Sequence, residues 1–329
     1  MNRLAVIGGG SWGTALAIVL APRFEQVSLW VYETDLAARM AASRVNDVYL
    51  PSATLPGNVR VTDSIREAVE GARFVLGVMP SHHARRVYTE LRVHADPEAG
   101  FVSATKGLEQ TSLLRVSEVL REVLGDVPAG VLSGPTFAEE VARGEPAAIV
   151  IASHDAAFAR SVQHAFAGPT FRLYTNSDPI GVELGAALKN VIAIAAGVCA
   201  GLGLGNNTTA ALITRGLAEI TRLAVAAGGQ AKTLAGLAGL GDLVLTCNGE
   251  LSRNRRVGFE LGRGRRLSEI LAGMQMVAEG VKTTEAAVAL AARHGVEMPI
   301  TRQMFAILHE NRPPREAVRE LMERSLKEE

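Results

Sequence analysis

The chain has 329 residues, 48% of them hydrophobic and 21% charged, and its 34 basic and 34 acidic side chains give a formal net charge of zero. This composition excludes an intrinsically disordered chain, and the balanced charge gives no global attraction to nucleic acid or an anionic membrane. The length predicts about two domains. Cys199 and Cys247 lack zinc or CxxC spacing. They are interpreted as reduced thiols of a cytoplasmic protein.

The first half of the chain alternates short β-branched runs with helical patterns. The N-terminus enters such a run at once, which leaves no room for a signal peptide. Helical patterns over Thr14–Leu20, Ser112–Leu124 and Ala156–Ala165 fit between the runs. This alternation predicts an α/β fold with a mostly parallel, Rossmann-type sheet. The predicted strands are Arg3–Ile7, Val27–Val31, Val59–Val61, Phe74–Val78, Phe101–Ser103, Val131–Ser133, Ala148–Ile151 and Phe171–Tyr174.

After residue 176 the strands stop and helical patterns separated by glycine follow. Pro179 and Gly181 mark the boundary, so we expect one domain over residues 1–179 and an all-α domain over residues 180–329. The longest apolar run, from Val191 to Gly205, is too short and glycine-rich for a membrane span. The predicted helices are Val182–Ala200, Thr208–Ala227, Arg253–Leu261, Lys282–His294 and Ile300–His309, followed by a charged, solvated helical tail.

A glycine motif, Gly8-x-Gly10-x-x-Gly13, follows the first predicted strand and opens a helix of small residues. This context is the one that a dinucleotide-binding loop requires. Gly8 makes the tight turn, Gly10 lets the backbone approach a pyrophosphate, and Gly13 permits close packing of helix on strand. We expect the pyrophosphate at the helix N-terminus, where Ser11 and Trp12 also touch it.

A carboxylate stands at the end of the second predicted strand. Glu33 lies 33 − 8 = 25 positions after Gly8, near the offset of about 20 expected for the acid that binds the ribose hydroxyls. Such a carboxylate repels the 2′-phosphate of NADP, because two like charges about 4 Å apart cost about 1 kcal/mol in water. We therefore predict NAD as the favoured cofactor and NADP as less favoured. The alternatives are that Glu33 is an exposed loop residue, or that Arg39 swings in to neutralise the phosphate.

Three later strands end in polar groups, at the edge where open α/β sheets bind ligands. Lys106 follows one strand and would hold an anionic substrate if it faces a cleft; otherwise it is a solvated surface lysine. His82 and His83 are interpreted as an exposed loop pair rather than catalytic residues. The other candidates at these strand ends are Pro80, Ser81, Gly134, Thr136 and Ala138.

Lys189 stands in the apolar segment GAALKNVIAIAAG, where an ammonium is costly to bury. Small neighbours one helical turn away leave room for a ligand. Desolvation lowers a lysine pKa, which suits proton exchange near neutrality. The alternative is a lysine that reaches solvent from a half-buried helix.

Asp242 lies in a glycine-rich apolar turn, and pairing it with Lys189 would offset the cost of burying both charges. A polar cluster follows at Ser252, Arg253 and Asn254, at the start of a predicted helix. Its hydroxyl, guanidinium and amide donors suit a phosphate or carboxylate. The alternative is a basic, solvated helix face.

Several stretches occur in order along nearly the whole chain: GGGSWGTALA, LPGNVRVTDS, SATKGLE, SGPTFAEEVA, GAALKNVIAIAAG, TRGLAEITRL, AGLGDLVLTC, SRNRR and GVEMPI. In these stretches the chain resembles the NAD(P)-dependent glycerol-3-phosphate dehydrogenase family. The resemblance implies a Rossmann domain followed by an all-helical domain. It also implies interconversion of dihydroxyacetone phosphate and sn-glycerol 3-phosphate, which feeds phospholipid synthesis.

The resemblance implies residue roles as well. Lys189 matches the proton donor and acceptor, and Tyr32 stands where many bacterial members carry Arg or His, which disfavours NADP. Tyr49 is placed near the adenosine. The implied substrate contacts are Lys106, Gly134, Thr136, Asp242, Ser252, Arg253 and Asn254. The implied cofactor contacts are Ser11, Trp12, Lys106, Ala138, Arg253, Val277 and Glu279.

Two other functions stay open at this point. One is a related two-domain reductase acting on a 2-oxo or 3-hydroxy acid, and the other is a redox sensor that binds NAD without chemistry. No cluster of His, Cys and carboxylates in the sequence suggests a metal. We expect a small-molecule substrate and no nucleic-acid partner, with a homodimer as the candidate assembly.

Overall fold

The computed structural model describes residues 2–274 and 278–326. Eight strands form one sheet in the first half of the chain, and a two-stranded hairpin stands apart from it. The strands, numbered along the chain, are β1 (Arg3–Ile7), β2 (Gln26–Trp30), β3 (Val45–Asn46), β4 (Leu50–Thr54), β5 (Val59–Thr62), β6 (Phe74–Gly77), β7 (Gly100–Ser103), β8 (Ala129–Ser133), β9 (Ala147–Ala152) and β10 (Phe171–Asn176).

The large sheet has the order β10-β9-β8-β7-β6-β1-β2-β5. Its strands pair in parallel except for β8 with β9. The predicted mostly parallel sheet is therefore confirmed. Strand order reverses between β1 and β6, and ligands of open α/β sheets bind at such a point, beyond the carboxyl ends of the strands.

Alternating side chains of the sheet pack on its two faces. Leu4 and Val6 belong to one buried cluster, and Ala5 and Ile7 to another. Helices cover both faces. They are α1 (Ser11–Leu20), α2 (Thr34–Ser43), α3 (Ile65–Val69), α4 (Ala84–Leu91), α5 (Val116–Leu124), α6 (Ala138–Ala142) and α7 (Ala156–Phe166), with 3-10 turns at Ala21–Arg23 and Ser81–His83.

The second half is helical throughout its described residues, as predicted. Its helices are α8 (Pro179–Gly201), α9 (Asn206–Ala226), α10 (Ala231–Leu234), α11 (Asp242–Asn248), α12 (Arg253–Gly262), α13 (Leu267–Ala272), α14 (Glu279–Arg293), α15 (Pro299–His309) and α16 (Pro314–Met322). A π-helical turn, Leu237–Gly241, leads directly into α11.

Helix α8 is the centre of this half. Asp178 caps it by accepting from the backbone N–H of Gly181 at 2.9 Å, and Pro179 occupies its first turn. Among the described residues it is the helix long and apolar enough to cross a membrane, but 89% of its apolar window is buried inside the protein. Burial on all sides explains why α8 is apolar around its whole circumference.

Candidate active site

A cleft of about 560 Å³ opens at the carboxyl ends of β1 and β6, between the sheet and the helical half. The first half contributes the glycine loop before α1, the loops after β6 and β7, and the start of α6. The second half contributes residues of α8, α11, α12 and α14. The cleft therefore lies where the strand order reverses, as expected for a ligand site of this type of sheet.

The glycine loop has the geometry predicted for a dinucleotide. Gly8 has a φ of +131°, and a Cβ there would lie 2.6 Å from the carbonyl oxygen of Val78. A Cβ on Gly13 would lie 1.8 Å from the carbonyl oxygen of Gly8, so only glycine allows this packing. A Cβ on Gly10 would meet nothing within 4 Å. Open space over Gly10, at the uncapped N-terminus of α1, fits a pyrophosphate.

A buried asparagine supports this loop. Asn46, from β3, donates its amide to the carbonyl oxygen of Gly9 and to Thr14 Oγ1, each at 2.8 Å. Its own side-chain oxygen accepts from the backbone N–H of Tyr49 at 2.9 Å. One side chain therefore holds the glycine loop against the segment that carries Tyr49.

Tyr32, Glu33 and Tyr49 line one end of the cleft. Tyr49 donates its hydroxyl to Glu33 Oε1 at 2.8 Å. Burial raises the pKa of Tyr49, and the bond to Glu33 raises it further. Arg39, the other basic residue considered for this end of the cleft, pairs with Asp47 at 2.9 Å.

Lys189 and Asp242 form the ion pair that the sequence predicted. Lys189 is 5% exposed and Asp242 is fully buried. Lys189 also donates to Thr246 Oγ1 at 2.8 Å. The second oxygen of Asp242 accepts from Lys106 at 2.9 Å, and Lys106 also donates to the carbonyl oxygen of Gly134 at 3.2 Å. One buried carboxylate therefore holds two lysines, one from each half of the chain.

Burial lowers the pKa of Lys189 to about 7, because the ammonium loses water. The negative charge of Asp242 opposes this effect, and the positive charge of Lys106 adds to it. A lysine with a pKa near neutrality exists in both protonation states at physiological pH, so it is able to give and take a proton.

In the Ser252–Asn254 cluster, two side chains hold the local structure and the third, Arg253, faces the cleft. Ser252 caps α12 by accepting from the backbone N–H of Arg255 at 3.2 Å. Asn254 donates to Asn190 Oδ1 at 3.0 Å and accepts from the backbone N–H of Gly280 at 2.9 Å. Arg253 lines the cleft and makes no direct ion pair with a carboxylate among the described residues. Burial lowers the pKa of Arg253, and the charge of the nearby Glu279 opposes that fall.

Glu279 closes the cleft from the start of α14. Ser81, beyond β6, donates its hydroxyl to Glu279 Oε2 at 3.2 Å, which links the two halves of the chain. Burial raises the pKa of Glu279, and the bond from Ser81 and the charge of Arg253 lower it. The neighbouring candidate Val277 lies outside the described residues.

The structure brings most of the predicted site residues to one cleft. Gly13, Ser81, Gly134 and Asp242 do not line it. Gly13 packs under the glycine loop, Gly134 and Asp242 bond to Lys106, and Ser81 bonds to Glu279. The predicted residues that line the cleft are Gly8, Gly10, Ser11, Trp12, Tyr32, Glu33, Tyr49, Pro80, Lys106, Thr136, Ala138, Lys189, Ser252, Arg253, Asn254 and Glu279.

Other lining residues were not predicted. Asn190 follows Lys189 directly in the sequence, and its place beside a buried lysine was the signal that could have found it. Arg86 and His83 also line the cleft. Burial lowers the pKa of His83, and that of His82 to about 4. In residues 2–274 and 278–326, no group of three or more His, Cys, Asp or Glu is placed to hold a metal.

Two family models match the chain: the N-terminus of NAD-dependent glycerol-3-phosphate dehydrogenase over residues 3–159, and its C-terminus over residues 178–319. The chain belongs to this family. It is 60% identical to the glycerol-3-phosphate dehydrogenase (NAD(P)+) of Koribacter versatilis, over 98% of each chain. A crystal structure of glycerol-3-phosphate dehydrogenase from Coxiella burnetii has a TM-score of 0.95 and 44% identity, covering 98% of this chain and 99% of that one.

The family confirms the resemblance inferred from the sequence, the Rossmann-type and helical architecture, and NAD(P) as the class of cofactor. A ketopantoate reductase from Ralstonia eutropha has a TM-score of 0.61 and 18% identity, covering 96% of this chain and 99% of that one. At that identity the likeness shows only a shared fold. The glycerol-3-phosphate dehydrogenase family is therefore favoured over the reductases of other oxo acids.

Proposed function

We propose that the cleft binds the dinucleotide across the Gly8–Gly13 loop and binds dihydroxyacetone phosphate between Lys106, Lys189 and Arg253. As a member of its family, the chain is an NAD(P)-dependent oxidoreductase that interconverts dihydroxyacetone phosphate and sn-glycerol 3-phosphate, and so supplies glycerol 3-phosphate for phospholipid synthesis. The observation that carries the proposed mechanism is the buried Lys189, whose ammonium lies at the floor of the cleft on Asp242.

When bound, the reduced nicotinamide supplies the hydride that the ketone carbon accepts. Lys189 donates a hydrogen bond to the ketone oxygen and then gives it the proton, so that an alcohol and a neutral amine result. In the reverse direction the neutral amine takes the hydroxyl proton. Asp242 fixes the position of Lys189 through the pair at Oδ1, and it is a positioning residue because it is fully buried.

Arg253 is proposed to bind the substrate phosphate. Its guanidinium has donors arranged as a fork that matches phosphate oxygens. Since Ser252 and Asn254 are engaged in the cap of α12 and in the bond to α8, they support Arg253 rather than compete for the ligand. Inorganic phosphate should therefore compete with dihydroxyacetone phosphate, whereas a reductase of phosphate-free oxo acids would be insensitive to it.

The division at residue 179 is part of the same proposal, with residues 1–179 holding the cofactor and residues 180–329 supplying Lys189 and Arg253. We also propose that the protein works in the cytoplasm. A homodimer remains a prediction that gel filtration with light scattering would test.

The test of the proposed mechanism is Lys189→Ala. Asp242 keeps Lys106 as a partner in this variant, so we expect it to fold. Loss of a positioned proton donor should lower kcat at least about 100-fold, while NADH binding, followed by its fluorescence, stays within about twofold. Lys232→Ala, at an exposed lysine away from the cleft, is the matched control. Turnover near that of the control would remove Lys189 from the mechanism. Wild-type protein that does not oxidise NADH or NADPH with dihydroxyacetone phosphate would support the redox sensor instead.

A further inference from the structure

Arg86 lies at the rim of the cleft, at the end that Tyr32, Glu33 and Tyr49 line. It belongs to α4, which follows the carboxyl end of β6. Its guanidinium carbon stands over the ring of Tyr32, 5.0 Å from the ring centroid. A cation at this distance over an aromatic face is attracted by the ring electrons. The sequence places Arg86 far from the second strand, but the fold brings the two together.

The Tyr32 ring is held in place although 62% of the residue is exposed. It also packs edge-on against Trp30, with the ring centroids 6.1 Å apart. Trp30 is itself fixed, since its indole N–H donates to the carbonyl oxygen of Asp63 at 2.9 Å. The contact with Trp30 therefore fixes the Tyr32 ring, and the ring keeps the guanidinium of Arg86 at the cleft.

Arg86 carries a positive charge that no carboxylate neutralises within the described part of the chain. Glu33 is engaged by the hydroxyl of Tyr49, and Arg39 by Asp47. Burial and the charge of Arg86 lower the pKa of the neighbouring His83, which disfavours a second positive charge beside Arg86. The end of the cleft lined by Tyr32, Glu33 and Tyr49 thus presents one carboxylate acceptor, Glu33, and one guanidinium donor, Arg86.

We propose that Arg86 binds the 2′-phosphate of NADP(H), so that this chain uses NADPH although Glu33 ends the second strand. The inference rests on the proposed placement of the cofactor across the Gly8–Gly13 loop. Glu33 suits the ribose hydroxyls of NAD and repels a 2′-phosphate. Arg86 supplies the opposite charge and the planar donors that bind phosphate oxygens. Two residues of opposite charge therefore set the preference between the two cofactors.

Arg86→Ala tests this assignment by binding and by activity. The binding probes are 2′,5′-ADP and 5′-ADP, which differ in the 2′-phosphate, and calorimetry measures both. We expect the dissociation constant of 2′,5′-ADP to rise at least tenfold, with 5′-ADP changed less than threefold. In assays with dihydroxyacetone phosphate, kcat/KM for NADPH should fall at least tenfold more than kcat/KM for NADH.

Matched variants separate charge from geometry. Arg86→Lys keeps the charge without the planar guanidinium. Its affinity for 2′,5′-ADP and its kcat/KM for NADPH should lie between those of wild type and Arg86→Ala. Arg92→Ala removes an exposed arginine at the C-terminal cap of α4 that does not line the cleft, and it should leave kcat/KM for both cofactors unchanged. Glu33→Gln should raise the ratio of kcat/KM for NADPH to kcat/KM for NADH.

Three outcomes would overturn the assignment of Arg86. The first is that Arg86→Ala leaves the ratio of kcat/KM for NADPH to that for NADH unchanged. The second is that Arg86→Ala weakens the binding of both ADP probes equally, and the third is that Arg92→Ala has the same effect as Arg86→Ala. Failure of the proposed function is distinguishable, because it would appear as wild-type protein inactive with both cofactors. In that case the two ADP probes still measure whether Arg86 recognises a 2′-phosphate.

Discussion

Two electrostatic effects of opposite sign act on Lys189. Burial favours its neutral amine, and the carboxylate of Asp242 favours its ammonium. Burial is the larger effect, so the pKa lies below its ordinary value, at about 7. This balance explains why the sequence places a lysine in an apolar helix. Asp242 stabilises the ammonium of Lys189 enough for it to be buried. Burial destabilises the same ammonium enough for it to exchange its proton near neutral pH.

The pH dependence of the two directions of the reaction should show this balance. Ketone reduction needs the ammonium, so its kcat/KM should fall as the pH rises through about 7. Alcohol oxidation needs the neutral amine, so its kcat/KM should rise over the same range. Asp242→Asn removes the charge that holds the pKa up and should move both inflections to lower pH. Steady-state profiles in both directions measure this.

Thr246→Val is the control for that experiment. It removes a neutral hydroxyl bonded to Lys189 and leaves the charge of Asp242 in place, so its inflection should move much less. Reduction that becomes faster above neutral pH, or an inflection that Asp242→Asn does not move, would contradict the assignment.

The residues that sequence reasoning found are those that conflict with their local surroundings. Lys189 and Asp242 are charges in apolar segments, and Gly8 and Gly13 are glycines between a strand and a helix. Arg86 and Asn46 carry no such signal, because an arginine on an amphipathic helix and an asparagine in a short polar segment are ordinary in sequence. Their roles arise only from contacts across the fold, to Tyr32 and to Gly9.

At the scale of elements, α8 and α12 position the site by close approach. A Cβ on Gly197 would lie 1.9 Å from the carbonyl oxygen of Arg255, and one on Gly258 would lie 1.9 Å from that of Ile194. Glycines therefore let the two backbones touch. Because of this approach Asn254, on α12, reaches Asn190, on α8, and Arg253 is held at the cleft beside Lys189.

Gly197→Ala should force these helices apart. Overpacking of this kind costs about 1–3 kcal/mol, and the free energy of unfolding in urea should fall by that amount. The KM for dihydroxyacetone phosphate should rise, because Arg253 moves with α12. Gly205→Ala is the matched control, since a Cβ there meets nothing within 4 Å. Equal stability and KM for the two variants would show that the glycine contact is not needed.

The elements themselves were predictable to different degrees. β-branched runs marked all eight strands of the large sheet within a few residues, because buried parallel strands are apolar along their length. The β3–β4 hairpin was missed, since Val45–Asn46 is only two residues long and Leu50–Thr54 contains Pro51 and exposed positions. The π-helical turn before Asp242 was also missed, because glycine-rich segments fit many backbone paths.

At the scale of the whole molecule, polar contacts tie the two halves together around the cleft. Lys106 bonds to Asp242, and Ser81 to Glu279. A third contact lies behind the site, where Glu183 of α8 accepts from Arg115 at 2.9 Å and from the backbone N–H of Ser117 at 2.8 Å. Burial raises the pKa of Glu183, and Arg115 opposes that rise.

The Glu183 contact should be a large part of what holds the halves together. Glu183→Ala leaves Arg115 without its buried partner, and breaking a buried pair costs about 3–5 kcal/mol. Glu118→Ala removes the second carboxylate that pairs with Arg115. The Glu118 side chain is 38% exposed and also accepts from the backbone N–H of Arg115 at 2.8 Å in the capping box of α5. Loss of a partly exposed pair and of this cap bond should cost about 1–2 kcal/mol. Glu183→Gln should fall between them, because the amide oxygen still accepts from Ser117. Urea unfolding followed by circular dichroism measures all three. If Glu183→Ala cost no more than Glu118→Ala, the buried pair would contribute no more than a surface one, and packing of α8 alone would join the two halves.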